Sequence, residues 1–217
     1  MSKSVKISLS LIVFAAVALA AVVLLGGEDD GPDPATAKGS EQDDRLARPD
    51  SVRLATADDG APVLVEFLDF ECESCRAVKP VVDQVRDDYE GDLEIVVRYM
   101  PLHASSVNAA KAAEAADAQG KFDEMYELLF ETQPEWGEQQ APEEQFFFDL
   151  AEEIGLDMDE FRTVYEDPET TAKVERDQAD GEALGVTGTP TFFLDGEQLE
   201  LTTVDDLLAP LDEAVGR

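Results

Sequence analysis

Residues 63–85 read VLVEFLDFECESCRAVKPVVDQV, and this stretch decides the fold. Val63, Leu64, Val65, Phe67 and Leu68 supply apolar side chains to both faces of a strand, as in the middle of a parallel or mixed sheet covered by helices. The class is therefore α/β. After Asp69, Phe70 and Glu71 come Cys72 and Cys75, and then Val78, Val81, Val82 and Val85 at helical spacing, so the cysteines open a helix. Two sulfurs on the first turn of a helix face the same way and can close a disulfide with little backbone travel.

A structural staple is the plain alternative. Closing so short a loop removes roughly 2 kcal/mol of unfolded-state entropy, against more than about 4 for a loop of about a hundred residues, so a staple is poorly placed here. Both cysteines of the chain sit in this one pair, which favours reversible redox chemistry. The helix mouth then divides the labour. Unpaired N–H groups and the macrodipole stabilise a thiolate at Cys72, which makes it the attacking sulfur. Cys75, further inside, resolves the mixed disulfide that Cys72 forms with a substrate.

Composition narrows the partners. The 217 residues are 44% apolar and 30% charged, which fits one folded domain and neither a disordered chain nor a multi-pass membrane protein. Acidic residues number 50 against 16 basic ones, a net charge of -34, and a surface of that sign repels phosphate backbones, so no nucleic-acid partner is expected. Two cysteines and one histidine cannot furnish the four ligands of a closed structural zinc site, and no metal site is expected.

Lys3 and Lys6 precede an uncharged run from Ile7 to Leu25, and Glu28, Asp29 and Asp30 follow it. About 20 residues of helix cross the hydrocarbon core, so residues 1–27 read as a single membrane anchor. The positive-inside bias then puts the N-terminus in the cytoplasm and the remaining chain outside the cell membrane. Ala18-Leu19-Ala20 has the small-x-small form of a signal-peptidase site, so secretion after cleavage near Ala20 is the alternative. Residues 28–60, acidic and punctuated by glycine and proline, read as a flexible linker, and the folded domain is expected over 61–217.

With these residues in place, the chain resembles the extracytoplasmic thioredoxin-fold thiol-disulfide oxidoreductases of the DsbA-like group. Cys72 and Cys75 match that group's redox pair, and Pro80 matches the proline that kinks its active-site helix. Glu66 matches the acid buried beneath the cysteines, where it would exchange a proton with Cys75; a glutamate at the sheet's wet margin is the alternative. Gly188-Thr189-Pro190 matches the loop whose cis-proline faces the pair and whose backbone pairs with an extended substrate peptide. The resemblance implies a thioredoxin-like fold with a helical insertion, here at about 104–185. It implies catalytic roles for Cys72, Cys75, Glu66 and Pro190, and substrate contacts at Thr189, Phe70, Glu73 and Ser74. No cofactor is implied beyond the redox-active Cys72-Cys75 disulfide.

The implied function is formation or rearrangement of disulfides in exported client polypeptides, with a membrane redox partner re-oxidising the pair. A reductase or isomerase of the same fold, or a non-catalytic peptide-binding module of chaperone type, uses the same residues differently. The group usually carries Pro-His between its cysteines, whereas this chain has Glu73-Ser74. Carboxylates at Glu73, Asp69 and Glu71, offset only partly by Arg76, are expected to raise the Cys72 thiol and make a weaker oxidant than DsbA.

The remaining segments are legible from caps and periodicity. Leu93 to Met100 reads as a second strand, and helices are expected over Asn108–Gln119, Phe122–Thr132, Gln145–Ile154 and Met158–Glu166. Asp167-Pro168 offers an N-cap and first-turn proline for a helix towards Leu184. Thr191 to Leu201 reads as a hairpin turning at Asp195-Gly196, before a final helix from Val204 to Val215. Trp136 and Phe146 to Phe148 read as core, and His103, the only histidine, as a helix-entry or packing residue.

Overall fold

The apolar run after Pro62 forms β2 (Val63–Leu68), the middle strand of a five-stranded sheet among the described residues. The computed structural model of the protein describes residues 44–137 and 144–217. With β1 (Val52–Ala55), β3 (Glu94–Tyr99), β4 (Thr191–Leu194) and β5 (Glu197–Leu199), the order is β1-β3-β2-β4-β5. β2 and β3 are parallel, pairing Glu66 with Val97, while the other pairings are antiparallel. A parallel pair needs a crossover, and α1 (Glu73–Asp88) supplies it.

Alternation along β2 builds two cores. Leu64 and Leu68 face one way, into a cluster with Cys75, Val82 and Val85 of α1. Val65 and Phe67 face the other way, against Leu46, Val96, Met100, Val186 and Phe193. Leu64, Phe67 and Leu68 are fully buried, each stabilising the fold by about 2 kcal/mol. Glu66 falls by alternation on the α1 side.

Residues 44–60 correct the sequence reading. They are not linker: Val52 and Leu54 alternate inward as β1 beside β3, and Leu46 closes the second core. The intervening Arg53 pairs with Glu94 at 2.9 Å, so a charge that reads as spacer in the sequence is in place on the sheet. The expected anchor at 1–27 and the linker residues before Asp44 lie outside the described residues. Among the described residues, no helix is long and apolar enough to cross a membrane.

Between β3 and β4 run α2 (Ser106–Asp117), α3 (Phe122–Glu131), α4 (Gln133–Trp136), α5 (Glu144–Glu153), α6 (Met158–Glu166) and α7 (Pro168–Leu184). α8 (Asp205–Ala214) ends the fold. α2 is the hub, touching α3, α5, α6 and α7. Its Ala109, Ala110, Ala112, Ala113, Ala115 and Ala116 are all buried; alanine both favours helix and lets neighbours approach from every side. α7 begins as its sequence requires, with the Asp167 carboxylate accepting from Glu169 N–H at 2.9 Å, and ends at Gly185 in the left-handed region (φ 88°). Trp136 and Phe147 meet edge to face in the core, as expected of them.

One charge in the sheet has no counterpart in the sequence reading. Arg98 of β3 is fully buried, and its Nη2 lies 2.9 Å from Asp177 and 2.7 Å from Asp180 of α7. Its Nη1 donates to the carbonyls of Leu46 (2.9 Å) and Arg45, while Arg48 grips Asp180 through two bonds of 2.6 and 2.8 Å. The cluster binds sheet, α7 and the segment before β1. Removing one partner of such a cluster leaves buried charge uncompensated. Arg98→Met should therefore lower the urea unfolding free energy by about 3–5 kcal/mol, and a loss of under about 1 kcal/mol would show that the cluster is dispensable.

Candidate active site

The turn after β2 delivers Cys72 to the N-cap of α1. Its N–H donates to the Asp69 carbonyl at 3.0 Å, and its own carbonyl accepts from Arg76 at 3.2 Å. Gln133 of α4 reaches back, its Nε2 donating to the carbonyls of Phe70 (2.6 Å) and Cys72 (3.0 Å). Sequence reasoning missed Gln133, since its partners are some sixty positions away. Cys72 is half-buried, and Cys75, one turn inward, is buried at 1% exposure. The Thr189–Pro190 bond is cis, and the Thr189 carbonyl lies 3.2 Å from Cys72 Sγ. Cys72, Cys75, Thr189 and Pro190 thus come together at one end of the sheet.

The two sulfurs are electrostatically unequal. The Cys72 thiol is lowered to about 5, first by its hydrogen bond with Cys75, against opposing burial, and then by Thr189 and the N–H groups of Cys75 and Ser74. Burial pushes Cys75 far up, with Cys72 and Glu66 adding to it. Glu66, at 1% exposure, is raised by burial, with a contribution from Asp83, to about 8, and its Oε2 has no hydrogen-bond partner among the described residues. At neutral pH the site therefore holds an outer thiolate, an inner thiol and a neutral carboxylic acid beneath it. Lys79 flanks them on α1, its Nζ 2.7 Å from Asp83, 2.8 Å from Glu127 and 5.4 Å above the Tyr126 ring.

The expected upward push on Cys72 is overturned by where the acids point. Asp69 accepts from the N–H of Glu71 (2.9 Å) and Leu102 (2.8 Å), and Glu71 accepts from Ser105 N–H at 2.7 Å. Both are buried and turned to backbone donors, so neither raises the Cys72 thiol. Glu73 and Ser74 are exposed beside the pair. Phe70 is not: at 1% exposure it packs on Tyr99, Tyr126 and Phe130, so its assignment as a substrate contact is corrected to core. Of the two roles open to His103, helix entry or packing, the structure fits the first: its N–H donates to Ser106 Oγ at 3.2 Å at the start of α2, while its side chain is 47% exposed with Nδ1 2.7 Å from Asp69 Oδ2.

A sulfur pair at a helix mouth facing a cis-proline loop can now be compared with known proteins. The family described as thioredoxin matches residues 55–213. The chain belongs to that family. The thioredoxin-like oxidoreductase of Silicibacter pomeroyi is similar at 29% identity and TM-score 0.66, over 80% of this chain and 98% of that one. The thiol-disulfide exchange protein alpha-DsbA2 of Wolbachia pipientis shares the fold of this chain at TM-score 0.67 and 22% identity, over 82% and 94% of the two chains. Among curated relatives, the Na(+)/H(+) antiporter NhaA of Herminiimonas arsenicoxydans is 35% identical over 151 residues, which is 70% of this chain and 23% of the antiporter. The chain spans under a quarter of the length of the curated relatives it matches.

Two measurements follow from the charges. Iodoacetamide alkylation of Cys72 in the reduced protein should titrate near pH 5, and a midpoint above about 8, where free thiols titrate, would contradict the assigned environment. Glu66 has a folded pKa above its unfolded one, so between pH 4.5 and 8 the native state holds a proton that the unfolded chain has lost, and stability falls as pH rises. Relative to Glu66→Gln, in which the Cys72 contribution cancels, the wild-type protein should lose on the order of 4 kcal/mol across that window. Parallel stability curves would mean that Glu66 is solvated.

Proposed function

We propose that this protein is a membrane-tethered, extracytoplasmic thiol-disulfide oxidoreductase that forms or rearranges disulfides in exported polypeptides through Cys72 and Cys75. The observation that carries the reading is the pairing of an accessible, low-pKa Cys72 with a buried Cys75 over neutral Glu66. In the oxidised protein, a client thiolate attacks Cys72 Sγ and the electron pair of the broken bond leaves on Cys75. Glu66 supplies the proton that makes that leaving group a thiol. The client's second thiolate then attacks its own sulfur in the mixed disulfide and expels Cys72 as a thiolate, which the helix mouth tolerates.

Two further features support this reading. Val78 and Val81 of α1, with Leu201, Val204 and Leu207, line an apolar groove of about 320 Å³, and Leu201 and Val204 are exposed large hydrophobics. Such a groove suits apolar side chains of an unfolded client. The depressed Cys72 thiol stabilises the reduced form, which favours the oxidising direction over the reductase or isomerase alternative. Tethering rests on the apolar run at Ile7 to Leu25, and a membrane partner would restore the disulfide.

Cys75→Ser should accumulate mixed disulfides with exported clients, while Cys72→Ser should form none. A Cys72→Ser protein that still suppresses client aggregation, from a wild type that oxidises nothing, would favour the chaperone-type alternative. A Cys72 thiol near 5 lies between those of thioredoxin and DsbA, so the reduction potential should fall between them, near about -180 mV. A value near about -270 mV would favour the reductase.

A further inference from the structure

Thiol-disulfide exchange moves protons at both sulfurs, and Glu66 serves only the inner one. At the outer sulfur, the loop after β3 brings Leu102 and His103 to the turn that ends at Cys72. Asp69 is the hinge of this contact. Its side chain is fully buried, and Oδ2 takes the Leu102 N–H at 2.8 Å and His103 Nδ1 at 2.7 Å, while its carbonyl takes the Cys72 N–H at 3.0 Å. His103 N–H donates to Ser106 Oγ at 3.2 Å, which fixes the loop against α2.

This arrangement orients the ring. A carboxylate only accepts, so Nδ1 carries the hydrogen toward Asp69 and Nε2 keeps its lone pair in the neutral ring. That nitrogen belongs to a side chain left 47% exposed, beside the exposed Leu102, and Asp69 ties the ring to the turn that ends at Cys72. The charged groups facing the imidazole are Asp69 and Glu71 from the turn after β2 and Cys72 from the mouth of α1; Asp69 first, then Glu71 and the Cys72 thiolate, raise its pKa against the effect of burial.

We propose that Asp69 and His103 form the proton relay of the outer sulfur, in which His103 Nε2 accepts the proton of an incoming client thiol and the imidazolium then serves as counter-ion to the Cys72 thiolate. The inference rests on the oxidoreductase reading above. The client thiol gives its proton to Nε2, and the resulting thiolate forms a bond to Cys72 Sγ as the Cys72–Cys75 bond breaks. Cys75 takes the Glu66 proton, which Glu66 regains from water. The client's second thiol releases its proton to water, its sulfur closes the client disulfide, and Cys72 leaves as a thiolate. The client loses two electrons and the cysteine pair gains them. Asp69 is a positioning residue, acting through the ring it holds.

His103 is the only histidine of the chain, so in protein carrying no histidine tag its imidazole resonances identify themselves. Their pH titration should have a midpoint higher in the reduced protein than in the oxidised or Cys72-alkylated protein, by on the order of half a pH unit. Equal midpoints would overturn the proposal and leave the pair a loop latch. The second arm is kinetic. A few per cent of a free thiol is already ionised at pH 7, so His103→Gln should slow client oxidation roughly 10-fold there, with the loss vanishing as the pH approaches about 8.5. No loss, or a loss independent of pH, would equally overturn it. The titration needs no client, so a shifted midpoint in a protein that oxidises nothing supports the coupling of His103 to Cys72 while removing the oxidoreductase reading.

Discussion

Glu66 stands in the middle strand with a carboxyl oxygen that no donor reaches among the described residues, and a fold tolerates this only while the group is uncharged and dry. Much of the architecture serves that condition. β3 and β4 flank β2 on both sides, α1 lies over its acid, and Tyr126 of α3 belongs to the same buried cluster as Cys75. The helical insertion is thus part of the cysteine-pair site as well as a neighbour to it. It supplies the wall that keeps the acid protonated, and through Gln133 it also holds the carbonyls of the turn on which Cys72 sits.

The mouth of α1 faces the opposite requirement. Negative charge must be stable at Cys72, yet the turn leading to it carries two acids. The fold reconciles these by turning Asp69 and Glu71 onto the backbone N–H groups of their own turn and of the loop after β3. A carboxylate that accepts such bonds is held in place facing those donors. The same bonds dock the loop that bears His103, so that local electrostatics and loop placement are one arrangement.

Much of this is written in the sequence, and the gaps have physical causes. The two-sided apolar run at 63–68, the cysteine spacing and the Asp167-Pro168 start of α7 each have a local signature, and each element forms where that signature lies. β1 was hidden because four residues are too short for the alternation of Val52 and Leu54 to stand out, and the ion pair that places Arg53 on the sheet is with Glu94, 41 positions away. Arg98 was hidden likewise, because its carboxylates lie on α7. The direction of Asp69 and Glu71 cannot be read from adjacency to Cys72, since a side chain next in sequence to a sulfur can point away from it. Phe70 shows the same limit, being adjacent to the site along the chain and directed into the core.

The inward capture of basic side chains has an effect at long range. Arg98, Lys79 and Lys173 are each drawn into pairs with carboxylates, with little exposure of their own, in a chain whose net charge is -34. With 50 acidic against 16 basic residues in the chain, the outer field is broadly negative. An anionic polypeptide diffusing toward the groove is slowed by that field, and a cationic one is drawn in. At physiological ionic strength the repulsion fades beyond about 8 Å, so salinity sets the traffic at this site by governing which chains arrive before any sulfur reacts.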